Sequence, residues 1–419
     1  MSPAKKIRIE DLRNPVLSDF QKAALAYAET QPVALNRKAV LEAAIQATEL
    51  EDFGPEDFHE RLDLWLAETD ENPDRTALGR LGLFNDCVLA ASTRLRMRDL
   101  LKRHPEIHDI EIQQPVIVIG LPRSGTTHLV NLLAADQRFR SMPLWESKEP
   151  IPDPREEPDE NGVDPRWQRC EDAWQGFKAS SPLIASMHPM NPDHIHEELE
   201  LQIPDFTSYN VEWITRAPRW RDYYLAHDQT EHYDFLKTGL KILQWYQPRE
   251  RWVLKCPQHL EQIGPLMKTF PDATIVVTHR DPVSVIQSAA TILTYGARMT
   301  YKTAEPDFYF EYWSDRIHRL LSASVRDRHL LPSDRTVDVL FHEFMADDVG
   351  TIERIYETAN LTMTNEARAQ IDGYIRDHPR GKEGQVVYDI RADYLSEPEA
   401  VRAPFDFYLD RFDIRKEVQ

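Results

Sequence analysis

The feature that most constrains the fold of this chain is a short, continuously apolar run that leads directly into a glycine-containing turn. The run is Val116-Ile117-Val118-Ile119, and such β-branched runs are typical of a strand buried on both faces of a parallel sheet. The turn is Gly120-Leu121-Pro122-Arg123-Ser124-Gly125-Thr126-Thr127, after which a helical pattern begins. A strand, a tight turn and a helix N-terminus direct backbone N–H groups and the positive end of the helix dipole towards one point. The sequence therefore predicts an anion-binding loop.

Similar apolar runs recur along the chain and alternate with helical patterns. The predicted strands are 116–119, 252–254, 273–277 and 336–341. The predicted helices are 127–135, 233–246, 259–270, 282–293 and 308–328. This alternation predicts an α/β fold with a P-loop-type, doubly wound parallel sheet flanked by helices. The first hundred residues have helical periodicity, so we expect a helical N-terminal extension over 1–110, followed by an α/β domain over 111–419.

The predicted loop differs from the P-loop of ATPases and kinases in the position of its cation. It matches the pattern G-x-x-x-x-G-K-[ST] at Gly120, Gly125 and Thr127, but Thr126 stands at the lysine position and the cation within the loop is Arg123. A kinase or ATPase uses that lysine together with a metal held by a carboxylate. A strand–turn–helix with two glycines could also be a plain tight connection.

Further cations follow the later predicted strands. The second strand leads into Lys255 and the third into His279-Arg280, where a metal-holding acid would be expected in an ATPase. Ligands of parallel sheets bind at the carboxyl ends of the strands. These residue types favour binding and transfer of an anionic group without a required metal.

A second anion site is indicated after the third strand. Asp281 can cap a helix whose first residue is Pro282, which leaves Arg280 at the carboxyl edge of the sheet. Ser284 and Ser288 are four residues apart and so share a face of that helix. An arginine and a helix-borne hydroxyl can grip a phosphate, although Arg280 alone could equally pair with a surface acid.

A third basic stretch lies in the loop His378-Pro379-Arg380-Gly381-Lys382-Glu383-Gly384. Two cations and two glycines in an acidic chain are compatible with a loop that closes over an anionic ligand. Exposed basic loops are common, so this stretch indicates little by itself.

Together these three stretches resemble the PAPS-dependent sulfotransferases (PAPS is 3′-phosphoadenosine 5′-phosphosulfate), particularly the bacterial branch related to tyrosylprotein sulfotransferases. The resemblance extends from about residue 115 to about residue 388. It implies that the loop binds the 5′-phosphosulfate, that an arginine–serine pair binds the 3′-phosphate, and that a C-terminal loop closes over the nucleotide. The residues implied are, respectively, Arg123, Ser124, Gly125, Thr126 and Thr127; Arg280 and Ser288; and Arg380, Gly381 and Lys382.

The resemblance implies transfer of a sulfuryl group from PAPS to a hydroxyl or amine of a small-molecule, lipid or glycan acceptor, with adenosine 3′,5′-bisphosphate as the product. Arg123 and Lys255 would stabilise charge on the leaving phosphate. A general base is also needed, and the candidates are Glu146, which follows the helix of the loop, and His259, which follows the second strand. A P-loop kinase or hydrolase and a non-catalytic nucleotide-binding protein are the alternatives.

Composition restricts partners and location. The chain has 50 basic and 70 acidic residues, a net charge of −20, so we expect no binding to nucleic acid. Its three cysteines form no CxxC pair and no run approaches 18 apolar residues, so we expect a cytoplasmic protein without a transmembrane segment. The oligomeric state is not indicated.

Two other segments have composition that suggests a role without defining one. In the stretch 188–200, His196-Glu197-x-x-Glu200 nearly matches the zinc pattern H-E-x-x-H but lacks its second histidine, so we expect no metal site there. We expect these acids to lie on a helix surface, and the alternative is that they take part in the acceptor pocket. The segment 151–165 is rich in proline and acids and is either a lid or an inert insertion.

Overall fold

The computed structural model of the protein describes residues 5–419. At its centre is a parallel sheet of five strands, in the order β3-β4-β2-β5-β6. A separate two-stranded parallel sheet joins β1 to β7. The strands are β1 (Lys6–Ile7), β2 (Val116–Gly120), β3 (Phe139–Arg140), β4 (Arg251–Lys255), β5 (Thr274–His279), β6 (Thr336–Leu340) and β7 (Gln385–Val386).

Helices precede the large sheet and cover both of its faces. Those before β2 are α1 (Asp19–Glu29), α2 (Arg37–Thr48), α3 (Phe58–Asp70) and α4 (Ala77–Arg103). Between β2 and β4 lie α5 (Thr126–Ala134), α6 (Leu144–Lys148), α7 (Pro165–Ser180), α8 (Ile184–Met187), α9 (Leu199–Gln202), α10 (Asn210–Ile214), α11 (Pro218–Ala226) and α12 (Thr230–Tyr246). Between β4 and β6 lie α13 (Ile263–Thr269), α14 (Pro282–Thr300) and α15 (Pro306–Asp327). The remainder are α16 (Phe341–Ala346), α17 (Asp348–Thr358), α18 (Asn365–Asp377), α19 (Ile390–Tyr394), α20 (Pro398–Arg402) and α21 (Asp406–Leu409).

The predicted α/β class with a parallel sheet flanked by helices is confirmed, and the four predicted strands correspond to β2, β4, β5 and β6. The prediction of a single helix over 259–270 is wrong. A 3₁₀ turn covers Pro257–Glu261, and α13 begins only at Ile263. Pro265 lacks an N–H and its ring would clash with the carbonyl four residues earlier, so it is tolerated only in the first turn of a new helix.

The side chains of the central strand explain why its sequence is apolar without interruption. Ile117 and Ile119 lie in the core on one face of the sheet, whereas Val116 and Val118 lie in the core on the other face. All four are fully buried. Because successive side chains of a strand point to opposite faces, burial on both faces requires every position to be apolar.

The N-terminal helices share a core with a later part of the chain. Phe58, Leu62 and Trp65 of α3 pack in one cluster with Phe206 and Trp220. Strand β1 pairs with β7, so the residues before α1 also contact the C-terminal third of the chain. The boundary at residue 110 stays a prediction, but these helices are in contact with the rest of the protein and can contribute to its site.

A buried ion-pair network joins α10 to α15 below the sheet edge. Arg316 is completely buried and binds Glu212 through Nε at 2.9 Å and Glu261 through both terminal nitrogens. Two carboxylates on one guanidinium fix the position of α15 against the turn after β4, because a buried charge is stable only when it is paired. Among residues 5–419, no helix is long and apolar enough to cross a bilayer.

Candidate active site

The predicted loop turns sharply between β2 and α5, and two glycines permit the turn. A Cβ on Gly120 would lie 1.9 Å from Oγ1 of Thr278 on the neighbouring strand, so only glycine fits there. Gly125 has φ +85°, in the left-handed region that favours glycine. Arg123 also has a positive φ, of 66°. Such backbone strain in a non-glycine residue is frequent at functional sites.

The hydroxyl groups of the loop have different partners. Ser124 is buried, and its Oγ donates to the Leu121 carbonyl at 2.6 Å and lies 2.8 Å from Oγ1 of Thr278. Thr127 Oγ1 instead accepts a hydrogen bond from Lys255 at 3.4 Å. The Ser124 side chain therefore stabilises the turn, whereas Thr127 belongs to a polar cluster at the strand ends.

The structure brings the loop into direct contact with the second predicted anion site. Arg123 Nε donates to Ser288 Oγ at 3.0 Å, and Arg280 donates to the Arg123 carbonyl. Asp281 caps α14 by accepting from the Val283 N–H at 3.1 Å, as the sequence predicted. Two arginines and a helix hydroxyl therefore lie together at the carboxyl edge of β2 and β5, where ligands of parallel sheets bind.

The guanidinium of Arg280 is bound to a carboxylate of the protein itself. Arg280 makes two hydrogen bonds to Glu417, at 2.8 and 2.7 Å, and its guanidinium lies 3.9 Å from the ring centre of Phe341. Ser284 Oγ lies 3.4 Å from the same carboxylate, and Ser288 donates to the Tyr388 hydroxyl at 3.0 Å. Arginine also binds phosphates through such a two-pronged contact, and in this structure the contact is made to the carboxylate of Glu417.

Lys255 lies at the end of β4, and only 1% of its surface is exposed. Its Nζ forms an ion pair with Glu197, and its backbone N–H donates to Glu198 at 2.8 Å. Because its Nζ also donates to Thr127, Lys255 connects the loop 120–127 to the segment before α9. Glu197 was not selected from the sequence as a catalytic residue, and its proximity to Lys255 depends on a contact across 58 residues.

Neither Glu146 nor His259, the two bases proposed from the sequence, lines the cavity that opens beside the loop 120–127. His259 is fully buried, and its two ring nitrogens lie 2.7 Å from Tyr233 Oη and 2.7 Å from Glu198 Oε1. Glu146 accepts a hydrogen bond from Arg140 at 2.6 Å. In this ion pair the side chain of Arg140 is 4% exposed and that of Glu146 is 12% exposed. Both side chains are therefore engaged by other residues.

The predicted C-terminal loop lies close to the first turns of α5. Arg380 forms an ion pair with Asp348, donates to the Met345 carbonyl at 2.9 Å and lies 3.4 Å from His128. His128 is the third residue of α5, so this arginine approaches the helix that follows the anion loop. Gly381 has φ +75°, which permits the turn, and Lys382 is exposed.

A cavity of about 450 Å³ opens beside the loop. Arg123, Thr126 and Glu197 form part of its polar end. Its apolar lining includes Leu78, Leu83, Phe177, Ile184 and Met190. The first two belong to α4, so the N-terminal helices form one wall of the cavity. Sequence analysis could not find this wall, since helical periodicity shows which face is apolar but not what lies opposite.

The segment 151–165 packs on the N-terminal helices and does not line the cavity. Arg155 binds Asp153 and Glu49, and Asp153 also binds Arg96 of α4 at 2.7 Å. Ile151 is buried among residues of α4 and α12. These contacts attach the segment to α2 and α4.

Comparisons with known proteins agree with this geometry. A profile of a family described as the sulfotransferase family matches residues 115–365. The crystal structure of the sulfotransferase STF9 from Mycobacterium avium aligns with a TM-score of 0.80 and 25% identity, over 92% of this chain and 99% of the other. The sulfotransferase STF1 from Mycobacterium tuberculosis H37Rv aligns with a TM-score of 0.75 and 26% identity, over 88% and 98%. A search of curated proteins gave no match.

Proposed function

We propose that this chain, which belongs to the sulfotransferase family and is a sulfotransferase, sulfates a hydroxyl or amine carried on a largely apolar acceptor. The family implies PAPS as the cosubstrate. The observation that carries the proposal is that Arg123, which donates to Ser288 and accepts from Arg280 through its carbonyl, also lines a largely apolar cavity. PAPS supplies the sulfuryl group. The residues of this chain bind the nucleotide, position the acceptor and accept its proton.

The donor set fits a doubly phosphorylated nucleotide. The loop 123–127 would hold the 5′ end with its backbone N–H groups and hydroxyls, and Arg280 with Ser288 would hold the 3′-phosphate once Glu417 has moved away. Arg380 and Lys382 are the proposed closing cations. Arg123 within the loop and Lys255 beside it would stabilise negative charge on the leaving phosphate. We propose that this nucleotide binds without a metal ion.

Glu197 is our proposed general base, in preference to Glu146 and His259. It lines the cavity and pairs with Lys255, which in turn contacts the anion loop. A carboxylate at the polar end of the cavity is within reach of an acceptor hydroxyl held there, and it would take the proton as the oxygen or nitrogen becomes nucleophilic. In this proposal His259 positions Glu198, and Arg140 holds Glu146.

The acceptor is proposed to be a small molecule or lipid with an apolar body. A volume of about 450 Å³ lined by leucine, isoleucine, methionine and phenylalanine side chains suits such a body better than a glycan, whose hydroxyls need hydrogen-bond partners. The polar end at Arg123 and Thr126 would receive its nucleophilic group.

We also propose a cytoplasmic location. The described structure contains free cysteines at positions 87, 170 and 256, two of them buried. Unpaired cysteines are typical of proteins kept in a reducing compartment.

The test measures binding and turnover separately. Calorimetry with adenosine 3′,5′-bisphosphate in the presence of a chelator should give binding that Arg280→Ala weakens strongly. ATP with Mg²⁺ should bind more weakly than the bisphosphate, and the reverse order would contradict the nucleotide assignment. Sulfate transfer from labelled PAPS should be measured with a long-chain alcohol, a phenol, an aromatic amine and a disaccharide, of which the disaccharide is expected to be the poorest acceptor.

The base is tested with two isosteric variants. Glu197→Gln should lower turnover by about 100-fold or more, the size of general-base catalysis, while bisphosphate affinity stays nearly unchanged. Glu146→Gln is the matched control and should retain most turnover. If Glu146→Gln abolishes turnover and Glu197→Gln does not, the role returns to Glu146.

A further inference from the structure

Three histidines meet on the wall of the acceptor cavity. One ring nitrogen from each of His188, His194 and His196 lies within 4.8 Å of the other two. His188 and His196 line the cavity, and the side chains of His194 and His196 are only 8% and 6% exposed. No contact described so far explains why three imidazoles are collected at this point.

Two nitrogens of the cluster are buried without a hydrogen-bond partner among residues 5–419. They are Nε2 of His194 and Nδ1 of His196. Because an unpaired buried polar atom costs about 1–3 kcal/mol, a ligand that binds these two nitrogens would recover part of that cost. Nε2 of His196 lies 3.3 Å from a carboxylate oxygen of Glu200, and a histidine that carries its proton on Nε2 has a lone pair on Nδ1 for a ligand. A carboxylate behind a histidine is the usual arrangement around protein metal ions.

The backbone holds the histidines in place. Ile195 forms a bridge with Pro143, and the flanking hydrogen bonds run from the His196 N–H to the Met142 carbonyl, 2.8 Å, and from the Leu144 N–H to the His194 carbonyl, 2.9 Å. In extended chain, residues two apart project to the same side, which places both imidazoles together. His188 ends α8, and its N–H donates to the Ile184 carbonyl at 2.7 Å.

Of the cations near the cluster, the two lysines are paired with carboxylates, whereas Arg123, which lines the same cavity, binds Ser288 and forms no ion pair among residues 5–419. Lys255 binds Glu197, and Lys148 binds Glu200 at 3.0 Å. Two lysines are thereby neutralised by two carboxylates, and the histidines themselves offer neutral nitrogen ligands.

We propose that His188, His194 and His196 bind a divalent transition-metal cation, and that zinc is the metal that this site takes. Imidazole is a preferred ligand of zinc, and three histidines with an open fourth position is an arrangement that leaves room for a substrate atom. Tetrahedral zinc with bonds of about 2.0–2.1 Å needs nitrogens about 3.4 Å apart, so the three nitrogens would approach one another from their present separations of up to 4.8 Å. The fourth position faces the cavity, where the cation would bind the acceptor oxygen and lower the pKa of its hydroxyl. The action of the cation on the acceptor rests on the proposed function, whereas binding of the cation by the three histidines does not.

The site is outside the H-E-x-x-H pattern considered from the sequence. That pattern needs two histidines four apart on a helix, whereas here two histidines alternate on an extended segment and the third comes from the end of α8. The ligand set has the spacing H-x₅-H-x-H. The expectation of no metal in this stretch came from the missing second histidine of the helical pattern.

The experiment measures metal binding without turnover. The full chain is treated with a chelator, the chelator is removed, and the protein is titrated with Zn²⁺ by calorimetry and with Co²⁺ by visible absorption, which is intense only for tetrahedral cobalt. We expect one equivalent of Zn²⁺ per chain and an increase in melting temperature. His188→Asn and His194→Asn should each weaken Zn²⁺ binding by about 100-fold or more, and Glu200→Gln by about 10–100-fold. The exposed His329→Asn is the matched control and should bind as the wild type does.

Several outcomes would overturn the site. It is rejected if the wild type binds no more Zn²⁺ than the double variant His188→Asn/His194→Asn, or if bound Co²⁺ has the weak spectrum of an octahedral ion. Because His188 is only half-buried, its variant is expected to fold even if the buried ones do not. Adenosine bisphosphate binding is measured on the same samples: if it is absent while Zn²⁺ binds, the nucleotide proposal fails and the metal site stands.

Discussion

Glu417 is predicted to compete with the nucleotide for Arg280. Its carboxylate makes the two-pronged contact that the proposed 3′-phosphate would make, so binding of the nucleotide requires this ion pair to open. Glu417→Gln removes the negative charge and keeps the shape of the side chain. We therefore expect the variant to bind adenosine 3′,5′-bisphosphate more tightly than the wild type.

The magnitude follows from the exposure of the pair. The side chains of Arg280 and Glu417 are 20% and 24% exposed, so water screens part of their attraction. Pairs at this level are worth up to about 1 kcal/mol, which corresponds to an about fivefold lower Kd. Repulsion between Glu417 and a phosphate nearby acts in the same direction, and the gain should shrink as salt is raised.

The assay is calorimetry with the bisphosphate on a double-mutant cycle. Glu417→Gln is measured in the wild-type and Arg280→Ala backgrounds, and Asp413→Asn is the control for removing another acid from the same segment. The gain should be clearly larger where Arg280 is present, since only the repulsion between Glu417 and the phosphate remains in the Arg280→Ala background. An unchanged Kd in the wild-type background, or an equal gain in the Arg280→Ala background, would refute the assignment of Arg280 to the 3′-phosphate.

Three further predictions concern stability and reactivity. Arg316→Met leaves the two buried glutamates described above unpaired, so the free energy of unfolding should fall by about 3–5 kcal/mol in urea denaturation, and a loss under about 1 kcal/mol would contradict the buried network. Gly120→Ala places a Cβ 1.9 Å from Thr278 Oγ1 and should lower the free energy of unfolding by about 1–3 kcal/mol. Adding Thr278→Ala should restore most of the lost stability, and a double variant as unstable as the single one would count against the close approach. Burial raises the pKa of the Cys170 thiol from its ordinary 9.0 to about 11, so less thiolate is present at any pH below that value. Its alkylation at pH 8 should be about 100-fold slower than that of a free thiol and should rise up to about pH 11, whereas a plateau near pH 9 would oppose it.

Local signals gave the parts of the fold that short segments specify. The run before Gly120 is a strand because its β-branched residues are buried on both faces, and the turn has glycines where the backbone needs them. Asp281 caps α14 as expected from its position before a proline. The apolar run, the left-handed glycine at position 125 and the cap at Asp281 depend on residues that are neighbours in sequence, whereas the need for glycine at position 120 comes from Thr278 on the adjacent strand.

The partners of the charged residues could not be predicted in the same way. Lys255 meets Glu197 across 58 residues, and Arg280 meets Glu417 across 137. Candidate bases were chosen from their distance along the chain to the loop, and that distance does not tell which carboxylate faces the cavity. The sequence did not predict that the three histidines meet, because they come together only when an extended segment and the end of α8 pack side by side.

The amino-acid sequence by itself determined the four main strands of the parallel sheet, the glycine-containing turn after β2 and the cap of α14, because strand, turn and capping preferences act over a few positions. The tertiary structure decided which side chains share the site. It placed Glu197 rather than Glu146 or His259 at the cavity, brought Glu417 to Arg280 and formed one cavity wall from α4. Those choices depend on packing between distant segments, and the attraction between two charges is set by their distance in space, whatever their separation along the chain.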